Sequence, residues 1–76
     1  MFDQIIKYAV GNAVKKEKEF LFPLESVMET TEINRIREIF PNYKIGLNYK
    51  YGPEKEEILL GLLFIEKEPE YLKNYR

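Results

Sequence analysis

Carboxylates are the side chains in this sequence whose number and spacing could support chemistry. They cluster on either side of an apolar stretch, at Glu54, Glu56 and Glu57 and at Glu66, Glu68 and Glu70. Paired carboxylates can act in acid/base catalysis or hold Mg²⁺ or Ca²⁺, but no Asp/Asn-rich loop with EF-hand spacing accompanies them. Charges beside an apolar strand also keep it soluble and discourage edge pairing, and we interpret both clusters in this way.

The residue types that are missing exclude several classes of enzyme and metal site. The chain has no cysteine and no histidine, which removes disulfides, the usual zinc sites and a histidine general base. Ser26 is the only serine, and its spacing from Glu29 predicts a capping box rather than a nucleophile. None of the four glycines belongs to a phosphate-binding loop. We therefore expect no enzymatic activity, no metal and no cofactor.

Length and composition predict one small soluble domain spanning residues 1–76. The chain is 45% hydrophobic and 33% charged, with a formal net charge of −1. Its longest uncharged apolar run, 58–65, is far shorter than the about 20 residues of a membrane-spanning helix. Residues 1–19 lack the continuous apolar core of a signal peptide. We expect a cytoplasmic protein with no membrane segment, and one short enough to gain burial by oligomerisation.

The N-terminal part of the sequence has the apolar spacing of one helical face. The residues at steps of three and four are Phe2, Ile5, Ile6, Ala9, Val10, Ala13 and Val14. With an acidic residue in the first turn and lysines toward the end, this pattern predicts a helix from about Asp3 to Glu19.

The next stretch predicts a second helix that is bent or broken. Its apolar residues point in two helical directions, the first with Leu24, Val27 and Met28 and the second with Ile33, Ile36, Ile39 and Phe40. Thr30 lies between the two groups, and threonine favours a helix N-cap. We expect the better helix to run from about Glu32 to Phe40 and to end before Pro41.

Residues 43–51 alternate between apolar and polar side chains, which predicts a half-buried strand. Residues 57–66 could form a helix, but that helix would be apolar on all sides, whereas a strand would complete a hairpin across Gly52 and Pro53. We predict the strand, with a short helix or coil after Pro69. The predicted fold is α+β: an N-terminal helix, a bent or broken second helix, an antiparallel β-hairpin and a short C-terminal helix.

The second hairpin strand carries more apolar surface than one face of a sheet can bury. If its even-numbered residues from 58 to 64 lie against the helices, the opposite face presents Leu59, Leu63 and Ile65, and the reverse assignment exposes a similar set. A patch of this kind marks an interaction site unless a terminal helix with Tyr71 and Leu72 covers it. We predict that Leu59, Leu63 and Ile65 bind a protein partner and that the protein forms a two-fold homodimer.

The first hairpin strand supports a different function, nucleic-acid binding. Aromatic and basic side chains lie along it as on sheets that stack unpaired bases, at Tyr43, Lys44, Tyr49, Lys50 and Tyr51. However, Tyr49 and Tyr51 share a face with core residues, and a net charge of −1 attracts phosphate weakly.

The leading expectation is an interaction module that docks on a protein as an inhibitor, adaptor or accessory protein. Its size and missing chemistry would suit a virus, a mobile element or a compact genome.

Overall fold

The protein has an α+β fold of two helices and a three-stranded antiparallel sheet, seen in a computed structural model that describes residues 1–68. The elements in chain order are α1 (Phe2–Val14), β1 (Glu19–Pro23), α2 (Thr30–Ile39), β2 (Tyr43–Tyr51) and β3 (Glu57–Glu66). The predicted C-terminal helix lies outside the described residues. Among residues 1–68, neither helix has the length and apolar character that crossing a bilayer requires.

Helix α1 ends earlier than its sequence predicts. Lys16 takes a positive φ of 59°, the left-handed conformation that commonly follows a helix. The N–H of Lys16 donates to the Ala13 carbonyl at 3.0 Å, and the N–H of Glu17 donates to the Asn12 carbonyl at 3.0 Å. This pair of bonds is a Schellman motif, here formed without the usual glycine. Because no glycine marks the end of the helix, the sequence pattern predicts a helix that continues to Glu19, the residue at which β1 begins.

Strand β1 is the element that the sequence did not predict. The stretch 24–29 is not helical, so the first half of the predicted bent helix is wrong. Ser26 therefore caps no helix, and the predicted capping box is wrong as well: α2 begins at Thr30 with Glu29 as its N-cap residue. Leu24 and Met28 are nevertheless buried, because this non-helical segment, which bends at residues 25 and 26, still places them in the core.

The sheet has the order β1-β3-β2, so that β3 lies in the centre. The predicted hairpin is confirmed: residues 57–66 form a strand that pairs with β2 from Glu57 to Glu66, with one unpaired residue between. Strand β1 pairs antiparallel with the other edge of β3, from Glu19 opposite Ile65 to Pro23 opposite Gly61. Between Gly61 and Ile65 both edges of β3 are paired, so this part of the strand cannot add a further strand from another chain.

Both helices lie on the same face of the sheet. Ile5 of α1 and Ile36 of α2 are fully buried in one cluster with Phe64 of β3. The helices also contact each other: the guanidinium of Arg35 in α2 lies 4.8 Å from the centre of the Phe2 ring in α1, a cation–π contact. The core consists of Ile5, Ala9, Phe20, Leu24, Met28, Ile33, Ile36, Tyr43, Ile45, Leu62 and Phe64. No helix or strand within residues 1–68 covers the other face of the sheet.

Candidate functional site: the open face of the sheet

A β-bulge in β3 decides which of its side chains meet the helices. Asn48 pairs with Gly61 and Tyr49 pairs with Leu59, so Leu60 has no partner in β2. Beyond such a bulge the alternation of side chains shifts by one residue. Leu62 is fully buried on the helix side, and beyond the bulge it is Leu59, not Leu60, that packs against the core.

Apolar side chains of the sheet that belong neither to the core nor to the residues packed against it define an open face. They are Leu21, Ile58, Leu60, Leu63 and Ile65. The first four are half-buried and Ile65 is 38% exposed. By alternation, Glu19 and Pro23 border this row on β1, and Lys44, Gly46, Asn48 and Lys50 border it on β2. The open face is therefore an apolar row with an acidic residue at one edge and two lysines at the other.

The predicted partner-binding residues divide between the two faces. Leu63 and Ile65 lie on the open face, as their spacing predicts. The prediction that Leu59 shares this face is wrong, because the bulge turns Leu59 toward the helices. Ile58 and Leu60, which the first assignment puts against the helices, lie on the open face instead, and Leu21 of β1 joins them. The available signal was Gly61, since a glycine inside an apolar strand commonly marks a bulge.

Side chains and proline obstruct the two outer edges of the sheet. On β1, the Tyr8 hydroxyl donates to the Leu21 carbonyl at 2.8 Å, and Pro23 has no N–H to offer. On β2, the Arg37 Nε donates to the Ile45 carbonyl at 2.9 Å. These contacts occupy groups that an added strand would need. Association through the face of the sheet is thus favoured over association through its outer edges.

The residues predicted for nucleic-acid binding do not come together on one surface. Tyr43 is only 8% exposed and donates its hydroxyl to the Glu17 carbonyl at 2.9 Å, so its ring is not free to stack on a base. Tyr51 is 75% exposed, but by alternation it lies on the helix side together with Tyr49. Lys44 and Lys50 belong to the opposite, open face. The aromatic and basic groups are thus separated by the sheet.

Because of Tyr43, the free energy of unfolding should depend on pH in the alkaline range. Burial raises the pKa of its phenol above the ordinary 10.0, and the Glu66 and Glu17 carboxylates add to the increase. The folded state therefore holds the phenol proton more tightly than the unfolded chain. This stabilisation is complete below pH 10.0 and is lost as the pH rises through the folded-state pKa.

We expect Tyr43→Phe to reduce the loss of stability above pH 10.0, because phenylalanine has no proton to release. Urea unfolding of the wild type and the variant, at neutral pH and above pH 10.0, measures this. Tyr49→Phe is the matched control, since Tyr49 is exposed on the same strand. An equal alkaline loss of stability in the wild type and Tyr43→Phe would contradict the prediction.

The glutamate clusters show no metal-binding geometry in the described part of the chain. Among residues 1–68, no group of three or more Asp or Glu side chains is placed to hold a metal ion. One carboxylate has a local structural contact instead: Glu56 accepts a hydrogen bond from the backbone N–H of Glu54 at 2.9 Å, within the hairpin turn. Glu70 lies outside the described residues.

A groove of about 740 Å³ lies where the end of α1 approaches the end of β3. Its lining mixes lysines and glutamates with apolar side chains: Ala13, Lys16, Lys18, Pro41, Asn42, Tyr43, Glu66, Lys67 and Glu68. The mixed charge selects no class of ligand. The chain also continues from the rim of this groove beyond Glu68, so we assign no site to it.

Comparison of the chain with models of known protein families, with curated proteins and with solved structures found no match. Its function is therefore inferred from its own residues and geometry. The open face is the starting point, because it combines apolar area with a charged border.

Proposed function

We propose that this protein is an interaction module that docks on a protein partner through the open face of its sheet, in an inhibitory, adaptor or accessory role rather than as an enzyme. The observation that carries the proposal is the apolar row along β3, which no described helix or strand covers. Proteins rarely leave contiguous apolar area without use, and an uncovered sheet face readily packs against a second layer.

The energetics of the open face favour docking. Burying about 300 Å² of apolar surface there would contribute about 7 kcal/mol before the cost of association. The side chains are held on a sheet whose strands are paired, so little backbone ordering is needed on binding. Loss of side-chain freedom is also small for the branched aliphatic residues of the row.

The chemistry of the open face favours a protein over a nucleic acid. Its centre is aliphatic and carries no aromatic ring on which a base could stack. Basic residues lie along β2 alone, and Glu19 lies at the opposite border. With a formal net charge of −1, the protein has little overall attraction for phosphate.

The proposal can be tested by photo-crosslinking in the protein's own cells. A photoreactive amino acid placed at Lys50, on the border of the open face, should give covalent adducts with protein. The same probe at Val14 is the control, since Val14 is 76% exposed at the end of α1 and does not belong to the sheet. Adducts consisting mainly of RNA, or equal yields from both positions, would contradict docking through the open face.

A further inference from the structure

We propose that the occupant of the open face is a second copy of this chain, packed face to face about a two-fold axis that runs parallel to β3. The inference rests on the proposed function and adds the partner and its orientation. The observation that carries it is that the β1 border and the β2 border of the open face are complementary in charge and in shape.

The first complementary pair is electrostatic. Glu19 of β1 and Lys44 of β2 lie opposite the same residue of β3, Ile65, on its two sides. A two-fold axis along β3 exchanges these two sides between the copies. Glu19 of each copy then faces Lys44 of the other, which gives two ion pairs at the border of the interface.

The second complementary pair is one of shape. Leu21 of β1 and Gly46 of β2 lie opposite the same residue of β3, Leu63. The same axis therefore places Leu21 of each copy over Gly46 of the other, where no side chain occupies the surface. Among the described residues, only the Arg37 guanidinium comes within 4 Å of a Cβ built on Gly46, at 3.9 Å. The gap on the open face where Gly46 has no side chain, here called the notch, is thus free to receive a leucine.

The orientation of the axis follows from the same register. An axis in the interface but across the strands would place β2 against β2. The open side of β2 holds Lys44 and Lys50 and no acidic residue, so these lysines would gain no partner of opposite charge.

Association through an edge of the sheet is the competing geometry, and the structure opposes it. Strand β3 is paired on both sides from Gly61 to Ile65. The Tyr8 hydroxyl and the Arg37 guanidinium occupy carbonyls of β1 and β2, and Pro23 lacks an N–H. Packing face to face instead buries the apolar row without pairing a new strand.

The experiment is light scattering after size exclusion of the purified full chain, from micromolar to near-millimolar concentration. The wild type should run at twice 9.1 kDa. Glu19→Lys and Lys44→Glu, each alone, should raise the dissociation constant about tenfold or more, because each replaces two attractions with two repulsions. The double variant should return close to the wild-type constant.

Gly46→Leu is the second, independent variant. It fills the notch at a position with room for a side chain and with no left-handed backbone, so the monomer should stay folded while the dimer is lost. Val14→Glu is the control, and it should remain dimeric because Val14 lies on α1, away from the sheet.

Two results would overturn the inference: a wild type that remains monomeric at all concentrations, or a double charge reversal that fails to restore association. Each of them leaves the proposed function to be decided separately by photo-crosslinking. A monomer that still crosslinks to another protein from Lys50 keeps the proposed function and replaces the second copy with that protein. If the protein is a monomer and the probe at Lys50 gives no more protein adducts than the probe at Val14, both proposals are overturned.

Discussion

Gly61→Ala should destabilise the fold by about 3 kcal/mol, as expected when a side chain is forced into a filled space. A Cβ at Gly61 would collide with the carbonyl oxygen of Phe22 and would lie 2.9 Å from the Cα of Pro23. Both contacts are with the backbone of β1, which cannot move aside as a flexible side chain can. The bulge and the end of β1 thus share a close approach that glycine alone permits.

Urea unfolding measures this cost, with Gly46→Ala as the matched control. Gly46 is also a strand glycine, but the nearest described atom to its added Cβ would be 3.9 Å away, on the Arg37 side chain. We expect Gly46→Ala to change the free energy of unfolding by less than about 1 kcal/mol. Equal effects at the two glycines would contradict the close packing of β1 against the bulge.

Ile36→Ala should lower the free energy of unfolding by about 2 to 4 kcal/mol, the usual cost of truncating a fully buried aliphatic residue. Ile36 has no exposed surface and lies in the core between α2 and the sheet. Part of the cost comes from lost burial and part from the cavity that neighbouring side chains cannot fill.

Ile39→Ala is the control for this prediction, because Ile39 lies on the same helix and is 49% exposed. The sequence pattern predicts that Ile39 shares the core face with Ile36, and this prediction is wrong. Thermal or urea unfolding should show a change below about 1 kcal/mol for Ile39→Ala. A change below that value for Ile36→Ala would mean that α2 does not bury the face described here.

Regular periodicity made the hairpin and both helices predictable, whereas local backbone geometry was not visible in the sequence. Strand β1 has five residues and ends in proline, too short a segment for alternation to stand out. Leu24 and Met28 are four residues apart and so resemble a helical face, although a non-helical segment buries both. The end of α1 was hidden because Lys16 adopts the left-handed conformation usually left to glycine.

The candidate site was predictable in part. The surplus of apolar residues in β3 indicates an uncovered face that includes Leu63 and Ile65, and both residues lie on the open face. Leu59 was misplaced because one unpaired residue in the bulge reverses the alternation beyond it. Leu21 could not be included without β1. The charge pattern of Glu19 and Lys44 on either side of Ile65 required the sheet order, which no local pattern encodes.

The central claim, docking through the open face, is tested most directly by Leu63→Glu with the photoreactive probe at Lys50. Leu63 is half-buried outside the core, so the variant should keep its helical and sheet circular dichroism and unfold cooperatively. Its crosslinks to protein should disappear, because a carboxylate buried in the interface without a partner costs several kcal/mol. Leu62→Glu, one residue away and fully buried, should instead unfold the protein. If Leu63→Glu unfolds as Leu62→Glu does, or stays folded and keeps its crosslinks, the open face is not the docking surface.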